Sequence, residues 1–469
     1  MSERRGFTPL AALGLTGAAV ALGGLVGLAF LQGYVASSVD GPQPQSGVEV
    51  SVDRATLTLA CPPGVIDPVT TAQVKGSGRL WAGQDGNIVE LEGGGHSLEI
   101  SSEVLEATVF ATAAASGEAE GDLTSLLLSS CVLPSMETVL PAGSTVTGED
   151  SVLTLSNPGT KAVVAQVQLL SPIGPVLDQS VSLTVPPLTT VSVLPAVWAP
   201  DEDRLAAHVT ADGAGVAAWL QSSGLDGEVP LGLGRLEGQQ TGPSVTLVGL
   251  DPQASETLRV ANMGSSPAQV HVSVLGTGGA SDLGGTDQTL IEPHGVFDFD
   301  LAGVSSDGLA LRVDSQEPIA AAILQSSTGE PFAEDPELSV STRSLVGAAP
   351  SILAATVPSQ DEVRALTEEL GFTGFTSEVV VVNSGDQAAS VSVGSDTRLL
   401  QPGSGVRIPL SGKAESEAVE IKADLPVSAA LVSSVDSVSG KLTSVTSLRE
   451  DTSAAVRQSV IVFPQPGLR

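Results

Sequence analysis

The chain has 469 residues, more than a single hydrophobic core usually supports, so several domains are expected. Its formal charge is -33, with 53 acidic residues against 20 Lys and Arg, which argues against nucleic acid or an anionic bilayer surface as a partner. Aromatic residues make up only 3% of the chain. The core must therefore consist mainly of Val, Leu, Ile and Ala, and the β-branched members favour strands.

Residues 1–36 predict a short cytoplasmic start and a transmembrane helix. The stretch from Leu10 to Leu31 is apolar or small with one exception, and it is long enough to cross a bilayer. Arg4 and Arg5 precede it and the next basic residue comes well after it, which places the bulk of the chain outside the cytoplasmic membrane. The alternative is a cleaved signal peptide and a secreted protein. Residues 37–47 are typical of a linker.

The two cysteines of the chain, Cys61 and Cys131, both lie in the exported part of this interpretation. In an oxidising compartment an even pair of cysteines predicts one disulfide. Closing a loop of this length would stabilise the fold by about 4 kcal/mol.

A strand followed by Asn, any residue and Gly occurs three times. The pairs are Asn157 and Gly159, Asn262 and Gly264, and Asn383 and Gly385. Because Asn and Gly favour turn conformations, each pair predicts a hairpin turn between two strands. At the same distance beyond each Gly lies a Val within a predicted strand of alternating apolar and polar residues. These residues are Val167, Val272 and Val393.

Two further markers follow in the same order along the chain. The first is a Pro before an alternating strand, at Pro187, Pro293 and Pro402. The second is an Ala-Ala pair at a fixed distance after Val209, Val313 and Ile421. When the three copies are aligned on this pair, Trp219 is equivalent to Ile323 and Leu431, which predicts that Trp219 lies in the core. Three markers that recur in one order indicate a copied structural module.

The repeat predicts an all-β chain of tandem β-sandwich (Ig-like) units, each of roughly one hundred residues. A β-propeller is the alternative architecture. We number the predicted units I (48–141, degenerate and carrying both cysteines), II (142–252), III (253–358) and IV (359–469). Each of the first three ends at a short strand followed by Pro, and a short helix within Asp361–Gly371 precedes the strands of unit IV.

This layout resembles an uncharacterised family of membrane-anchored extracytoplasmic actinobacterial proteins with β repeats. The motifs that carry the resemblance are Asn157-Pro158-Gly159 and Cys131–Pro134 (CVLP). These motifs are structural rather than catalytic. The resemblance therefore implies a compartment and a β architecture, and no reaction.

Candidate binding residues are few. Trp81 and Trp198 have no aligned partners in the repeat, so they are candidates for stacking on a sugar. Asp201, Glu202 and Asp203 form an acidic loop that could bind calcium, although the spacing is not that of a calcium-binding loop. The sequence contains no spacing typical of a nucleophilic or zinc-dependent enzyme, and no cofactor is expected.

These features predict a non-enzymatic scaffold or interaction protein that is tethered to the membrane outside the cytoplasm. Its partner would be an envelope protein or a cell-wall polymer. The alternative is an accessory module that binds envelope polysaccharide or peptidoglycan through Trp81 and Trp198. An enzyme is the third class, and a glycosidase, for example, would need two convergent carboxylates that the sequence does not reveal.

Overall fold

A computed structural model describes residues 48–53, 56–82, 86–101, 111–251, 253–302, 304–410, 416–450 and 457–462. The chain divides into two compact bodies, a smaller one of Met1–Asp53 with Arg457–Arg469 and a larger one of Arg54–Val456. The smaller body contributes the first described strand, β1 (Val48–Asp53). The prediction of an all-β chain with several sheets is confirmed.

The next six strands form unit I, and they are β2 (Thr56–Cys61), β3 (Gly78–Ala82), β4 (Asn87–Glu90), β5 (His96–Ser101), β6 (Thr112–Glu118) and β7 (Ser125–Ser129). They make two antiparallel sheets with the orders β2-β5-β4 and β3-β6-β7. Cys61 and Cys131 are joined by a disulfide, as predicted. Both are buried with Leu57, Leu59 and Leu98 in one small core.

The strands of unit II are β8 (Glu137–Leu140), β9 (Glu149–Asn157), β10 (Val163–Ser171), β11 (Gly174–Pro175), β12 (Val181–Val185), β13 (Thr189–Val193), β14 (Ala206–Ala211), β15 (Ala217–Asp226) and β16 (Val229–Glu237). One sheet has the order β11-β10-β14-β8, with β12 also paired to β10, and the other has the order β13-β9-β15-β16. The two sheets share one core, to which Val167 and Val209 contribute from the first sheet and Leu153, Leu155 and Leu220 from the second.

Units III and IV repeat this arrangement. Unit III contains β17 (Gly242–Val248), β18 (Ser255–Asn262), β19 (Ala268–Gly276), β20 (Gly279–Asp282), β21 (Leu290–Ile291), β22 (Val296–Asp300), β23 (Gly308–Pro331) and β24 (Ser339–Val346). Unit IV contains β25 (Ser351–Val357), the helix α1 (Gln360–Glu369), β26 (Thr373–Val382), β27 (Ala389–Val393), β28 (Asp396–Leu400), β29 (Gly405–Pro409), β30 (Val419–Ser437) and β31 (Gly440–Ser447).

One long strand serves both layers in each of these two units. The first half of β23 pairs with β17 and β19, and its second half pairs with β18 and β24. The strand β30 pairs with β25 and β27, and then with β26 and β31. Val167 lies opposite Val209, Val272 opposite Val313, and Val393 opposite Ile421. The three Val markers therefore occupy the same topological position.

The pairing moves the predicted unit boundaries by one strand. The strands β8, β17 and β25 pair with β14, β23 and β30, so each of them opens the unit that follows. The predicted ends at 141, 252 and 358 place these strands in the preceding unit instead. The reason is that the Pro after each strand marks a turn within the new unit and not the end of the old one. From here on, units I to IV are the groups of strands given above.

The last described strand, β32 (Arg457–Val462), belongs to the smaller body and pairs antiparallel with β1. Val48 lies opposite Val462, and Asp53 lies opposite Arg457. The sequence predicts these strands in units I and IV, whereas the structure pairs them with each other. The predicted span Leu10–Leu31 lies outside the described residues. No helix within the described ranges is long and apolar enough to cross a membrane.

Each Asn-x-Gly turn crosses from one layer of its unit to the other. Asn157 ends β9 in one sheet, and β10 begins in the other sheet, so the prediction of a hairpin is wrong here. The Nδ2 of Asn157 donates to the main-chain oxygens of Lys161, Val185 and Pro186, and its Oδ1 accepts the N–H of Gly159. The residue types specify a turn, but they do not specify whether the flanking strands pair.

The same network recurs in units III and IV. The partners are Ser266, Ile291, Glu292 and Gly264 for Asn262, and Gln387, Leu400 and Gly385 for Asn383. All three Asn residues are at most 1% exposed. A layer crossing interrupts the ladder of strand hydrogen bonds, and the buried amide satisfies the main-chain groups that the crossing leaves without partners.

The Ala-Ala marker is displaced by one residue in unit II. Ala218 lies opposite Leu155, two positions before the repeated Asn, and the residues in the equivalent positions of units III and IV are Ala321 and Ala429. Trp219 is therefore equivalent to Ala322 and Ala430, and its predicted alignment with Ile323 and Leu431 is wrong. The cause is the separate connection between β14 and β15, which is one residue longer than the bend inside β23 or β30.

This shift directs Trp219 out of its own unit and towards unit I. Trp219 is buried, as predicted, but it packs with Ala60 and Val132 of unit I. Its neighbours Ala218 and Leu220 fill the core of unit II instead. One added residue thus converts a position of the internal core into a contact between units.

The last strands of units I to IV pack around one axis. β7 contacts β16, β16 contacts β24, β24 contacts β31, and β31 contacts β7. The backbones approach closely, because a Cβ at Gly232 of β16 would lie 2.6 Å from the amide nitrogen of Arg343 in β24. The φ of Gly232 is also positive, at 81°. The larger body is therefore a closed ring of β units.

The predicted helix helps to close this ring between units IV and I. Ser359 caps α1 by accepting the N–H of Glu362, and Gly371 follows the helix with a positive φ. The buried face of α1 packs through Val363 and Leu366 against Ala115 and other side chains of β6 and β7. The sequence prediction of a helix between Asp361 and Gly371 is confirmed.

We expect Asn262→Ala to destabilise the larger body by about 3 kcal/mol. The change leaves buried main-chain oxygens without donors, at about 1–3 kcal/mol each and with incomplete additivity. Calorimetry and amide hydrogen exchange of unit III would measure the loss. Asn87→Ala is the matched control, because Asn87 is exposed on β4. Equal stability of the two variants would show that the Asn network does not hold the layer crossing together.

Candidate ligand-binding face

The connections that follow the last strand of each unit gather at one end of the ring, which we call the linker face. They are residues 130–136, 238–241 and 347–350, together with 448–450 after β31. Two cavities lie among them, and their walls share Gln240, Pro350, Ser351 and Arg449. The linker face thus holds two cavities, each of a size that a small molecule could occupy.

The first cavity, the polar cavity, has a volume of about 540 Å³. It lies between the connections 238–241 and 347–350 and the Asn383 turn of unit IV. Most of its lining side chains carry hydroxyl or amide groups, and none of the described lining residues is aromatic. Its charged lining residues are Arg312, Asp386 and Arg449.

The two arginines of the polar cavity are held in different ways. Arg312 donates from Nη1 to the main-chain oxygen of Ser384 at 2.8 Å and from Nε to the Asp314 carboxylate at 3.1 Å. Arg449 donates from Nη2 to Oε2 of Glu237 at 3.2 Å, and its side chain is 41% exposed. Arg312 is therefore a fixed part of the wall, whereas Arg449 can offer further N–H groups to a ligand.

The second cavity, the disulfide cavity, has a volume of about 460 Å³. Cys131, Leu59, Leu133 and Leu448 contribute to its wall. The carboxylate of Glu450 also lies there, but it already accepts the N–H groups of two residues of β25, Leu353 and Ala354. This cavity offers apolar surface beside the disulfide.

The structure brings neither candidate tryptophan to these cavities. Trp81 is partly buried and packs in the cluster that includes Leu366 and Phe372. Trp198 follows a 3-10 turn at Pro195–Val197 and packs against the core of unit II. Both side chains thus contribute to packing in the described structure.

The acidic loop Asp201–Asp203 bonds its neighbours mainly through its main chain. The N–H of Glu202 donates to Oγ1 of Thr145, and the carboxylate of Asp203 pairs with Arg204 at 3.1 Å. The main-chain oxygen of Asp203 also accepts a bond from Arg259 of unit III. In the part of the chain that the structure describes, no three His, Cys, Asp or Glu side chains converge in a way that could hold a metal ion.

Sequence reasoning missed a buried acid, Glu256 on β18. Its carboxylate accepts the N–H of Asp251 at 2.9 Å and Nε2 of Gln325 at 2.6 Å. Burial raises the pKa of Glu256 to about 7, and the two hydrogen bonds oppose that rise. A signal was present, because Glu256 occupies the same inward phase of the strand as Leu258 and Val260.

We expect the stability of the larger body to fall as the pH rises from about 4.5 to about 7. Over this range Glu256 keeps its proton in the folded protein and loses it in the unfolded chain. The free energy of unfolding therefore falls by an amount on the order of 3 kcal/mol. Glu256→Gln should therefore be more stable than the natural protein at pH 8 and similar to it at pH 4.5. Melting temperatures across this range would test it, with the exposed Glu228→Gln as control. A difference between Glu256→Gln and the natural protein that is the same at both pH values would contradict the assignment.

The comparisons with known proteins agree with the expectation of an uncharacterised family. A family model described as "Family of unknown function (DUF5719)" matches residues 95–369, from the start of β5 to the end of α1. No curated protein matches the chain. The crystal structure of Thermotoga maritima 1070 aligns at 12% identity with a TM-score of 0.20, covering 23% of this chain and 94% of that one, which is too weak a similarity to inform fold or function. The actinobacterial origin and the membrane anchor remain predictions from the sequence. The match with the family model extends over more than half of the chain, which therefore belongs to the family of unknown function DUF5719.

Proposed function

We propose that this protein is a non-enzymatic, membrane-tethered scaffold or interaction protein of the cell envelope. Its β units would lie outside the cytoplasmic membrane, and its partner would be an envelope protein or a cell-wall polymer. The observation that carries the proposal is that buried or partly buried arginines join unit II to units I and III and unit III to unit IV, while hydrogen bonds between β31 and β7 close the ring between units IV and I. A ring joined in this way presents its loops and strand edges in fixed positions, as a scaffold requires.

We further propose that units II to IV are β-sandwiches of the Ig type and not propeller blades. Each has two groups of antiparallel strands over one core. A propeller blade is a single four-stranded sheet facing a central channel. The order β13-β9-β15-β16 brings together strands that are not consecutive along the chain, as the Greek-key connections of a sandwich do.

Arginines fix the junctions of unit II with its two neighbours. Arg235 donates to the main-chain oxygens of Pro63 and Gly64 in unit I at 2.8 Å each, and its burial lowers the pKa of the guanidinium to about 10. Arg259 of unit III donates to the main-chain oxygen of Gly143 and pairs with Asp298 at 2.8 Å. Bonds to main-chain oxygens fix the position of a neighbouring backbone, which bonds between mobile surface side chains do not.

The other contacts between units are also polar. Arg343 of unit III makes two bonds to the Glu149 carboxylate of unit II, at 2.7 and 2.8 Å. Arg407 of unit IV donates to the main-chain oxygen of Leu250 and pairs with Glu378. Between units IV and I, two hydroxyl side chains of β31 bond the main chain of β7. No junction of the ring relies on apolar packing alone.

The sequence supports the proposed location. The apolar stretch Leu10–Leu31 follows Arg4 and Arg5, and the formal charge of the chain is -33. Strong negative charge keeps a protein soluble and repels anionic lipid and nucleic acid, so contact with the membrane would be confined to the anchor. The secreted form remains the alternative.

One observation favours the second candidate, an accessory module that binds envelope polysaccharide or peptidoglycan. Trp81 and Trp198, which suggest this function in the sequence, pack against cores. The polar cavity on the linker face is the feature that offers a ligand hydroxyl, amide and guanidinium groups.

We expect the full chain to fractionate with membranes and to be cleaved by protease added outside spheroplasts. A photo-crosslinking amino acid at Leu399, which is 65% exposed on β28, should then capture a defined envelope component reproducibly. Arg259→Ala should lower the crosslinking yield at unchanged protein level, because the junction of units II and III loosens. The control Lys75→Ala changes an exposed cation of unit I, far along the chain from the crosslinking position, and should leave the yield unchanged.

Three outcomes would contradict the proposal. A chain that protease reaches only after cell lysis would rule out the location. If no crosslinked component were found, or if Arg259→Ala gave the same crosslinking yield as the natural protein, partner binding would not depend on a rigid ring. Turnover of an envelope substrate by the purified full chain would place the protein among the enzymes.

A further inference from the structure

The polar cavity presents amide and hydroxyl side chains from several elements of the ring. Gln239 and Gln240 come from the connection between units II and III, Gln387 comes from the Asn383 turn, and Thr241 and Ser351 add hydroxyls. An amide or hydroxyl group can donate and accept, as a ligand hydroxyl can. The lining therefore matches a molecule that carries several hydroxyl groups.

The charges in the cavity are arranged for an anionic group. Arg312 and Arg449 are the cationic lining residues and Asp386 is the acidic one, and the two arginines also pair with Asp314 and Glu237. The exposed part of the Arg449 guanidinium can make paired bonds to a carboxylate, which are stronger than bonds between neutral groups. Arg312 is already held by Ser384 and Asp314, so its charge stays in place when the cavity is empty.

The composition of the wall argues against other ligand classes. The described lining lacks aromatic side chains, on which the apolar face of a neutral sugar would stack. The volume of about 540 Å³ lies within the range of small-molecule sites.

We propose that the polar cavity binds a sugar acid, a small molecule that carries a carboxylate beside several hydroxyl groups. The carboxylate bonds Arg449, and the hydroxyl groups bond the amide and hydroxyl side chains of the connection 238–241 and of the Asn383 turn. This site is independent of the scaffold role, because neither the membrane anchor nor a protein partner takes part in it.

Titration calorimetry of the detergent-solubilised full chain with glucuronate, glucose and the dipeptide Ala-Ala would test the site. Glucuronate should bind at least about tenfold more tightly than glucose, because glucuronate, unlike glucose, offers a carboxylate to a guanidinium. Arg449→Gln should weaken glucuronate binding by at least about tenfold and leave glucose unchanged. Asp386→Asn should strengthen glucuronate binding, because it removes a like charge from the wall.

The matched control is Arg398→Gln, which removes an exposed arginine of β28 that does not line the polar cavity. It should leave every affinity unchanged, and melting temperatures would verify that all variants fold. The proposal is overturned if none of the three probes binds, if glucose or Ala-Ala binds as tightly as glucuronate, or if folded Arg449→Gln binds glucuronate as the natural protein does. None of these results would bear on the membrane location or on crosslinking at Leu399.

Discussion

The larger body depends on close backbone packing between the last strands of its units. β16 and β24 can approach as they do because Gly232 has no side chain, and a Cβ at Gly234 would also lie 2.9 Å from the Leu345 side chain. If these strands were held further apart, the four-way packing of β7, β16, β24 and β31 would open. The arginine bonds at the junctions and the cavities of the linker face both follow from this packing, since all of them lie between units.

The scarcity of basic residues gives the arginines a particular structural importance. Of 20 Lys and Arg in the chain, Arg235, Arg259, Arg343 and Arg407 lie at junctions. Arginine suits these places because its planar guanidinium can bond several main-chain oxygens or one carboxylate through two bonds. The cores of Val, Leu and Ala hold each unit together internally.

The repeat within each unit could be predicted from the sequence, and the relations between units could not. Spacing located Val167, Val272 and Val393 at one topological position, because an alternating strand is a local pattern. The pairing partner of a strand is a nonlocal property, so the same reasoning mistook the crossover at Asn157 for a hairpin and assigned β8, β17 and β25 to the wrong units. The predicted alignment of Trp219 was wrong for a related reason. A single extra residue in a connection reverses the face of the strand on which a side chain lies.

The candidate site was harder to foresee than the fold. The polar cavity is built from Gln239, Arg312, Gln387 and Arg449, which are distant along the chain and carry no shared motif. Only ring closure brings them together. The tryptophans, which were the natural candidates for a sugar site, pack against cores because a chain with 3% aromatic residues uses its few large side chains to fill space.

The pairing of β1 with β32 has a mechanical consequence. Because these strands are antiparallel and Val48 lies opposite Val462, the incoming and outgoing ends of the described chain emerge at the same end of one ribbon. A force that pulls those ends apart would load the residue pairs of this ribbon one after another, as a zipper is opened. The ribbon would open from the Val48–Val462 pair towards the Asp53–Arg457 pair.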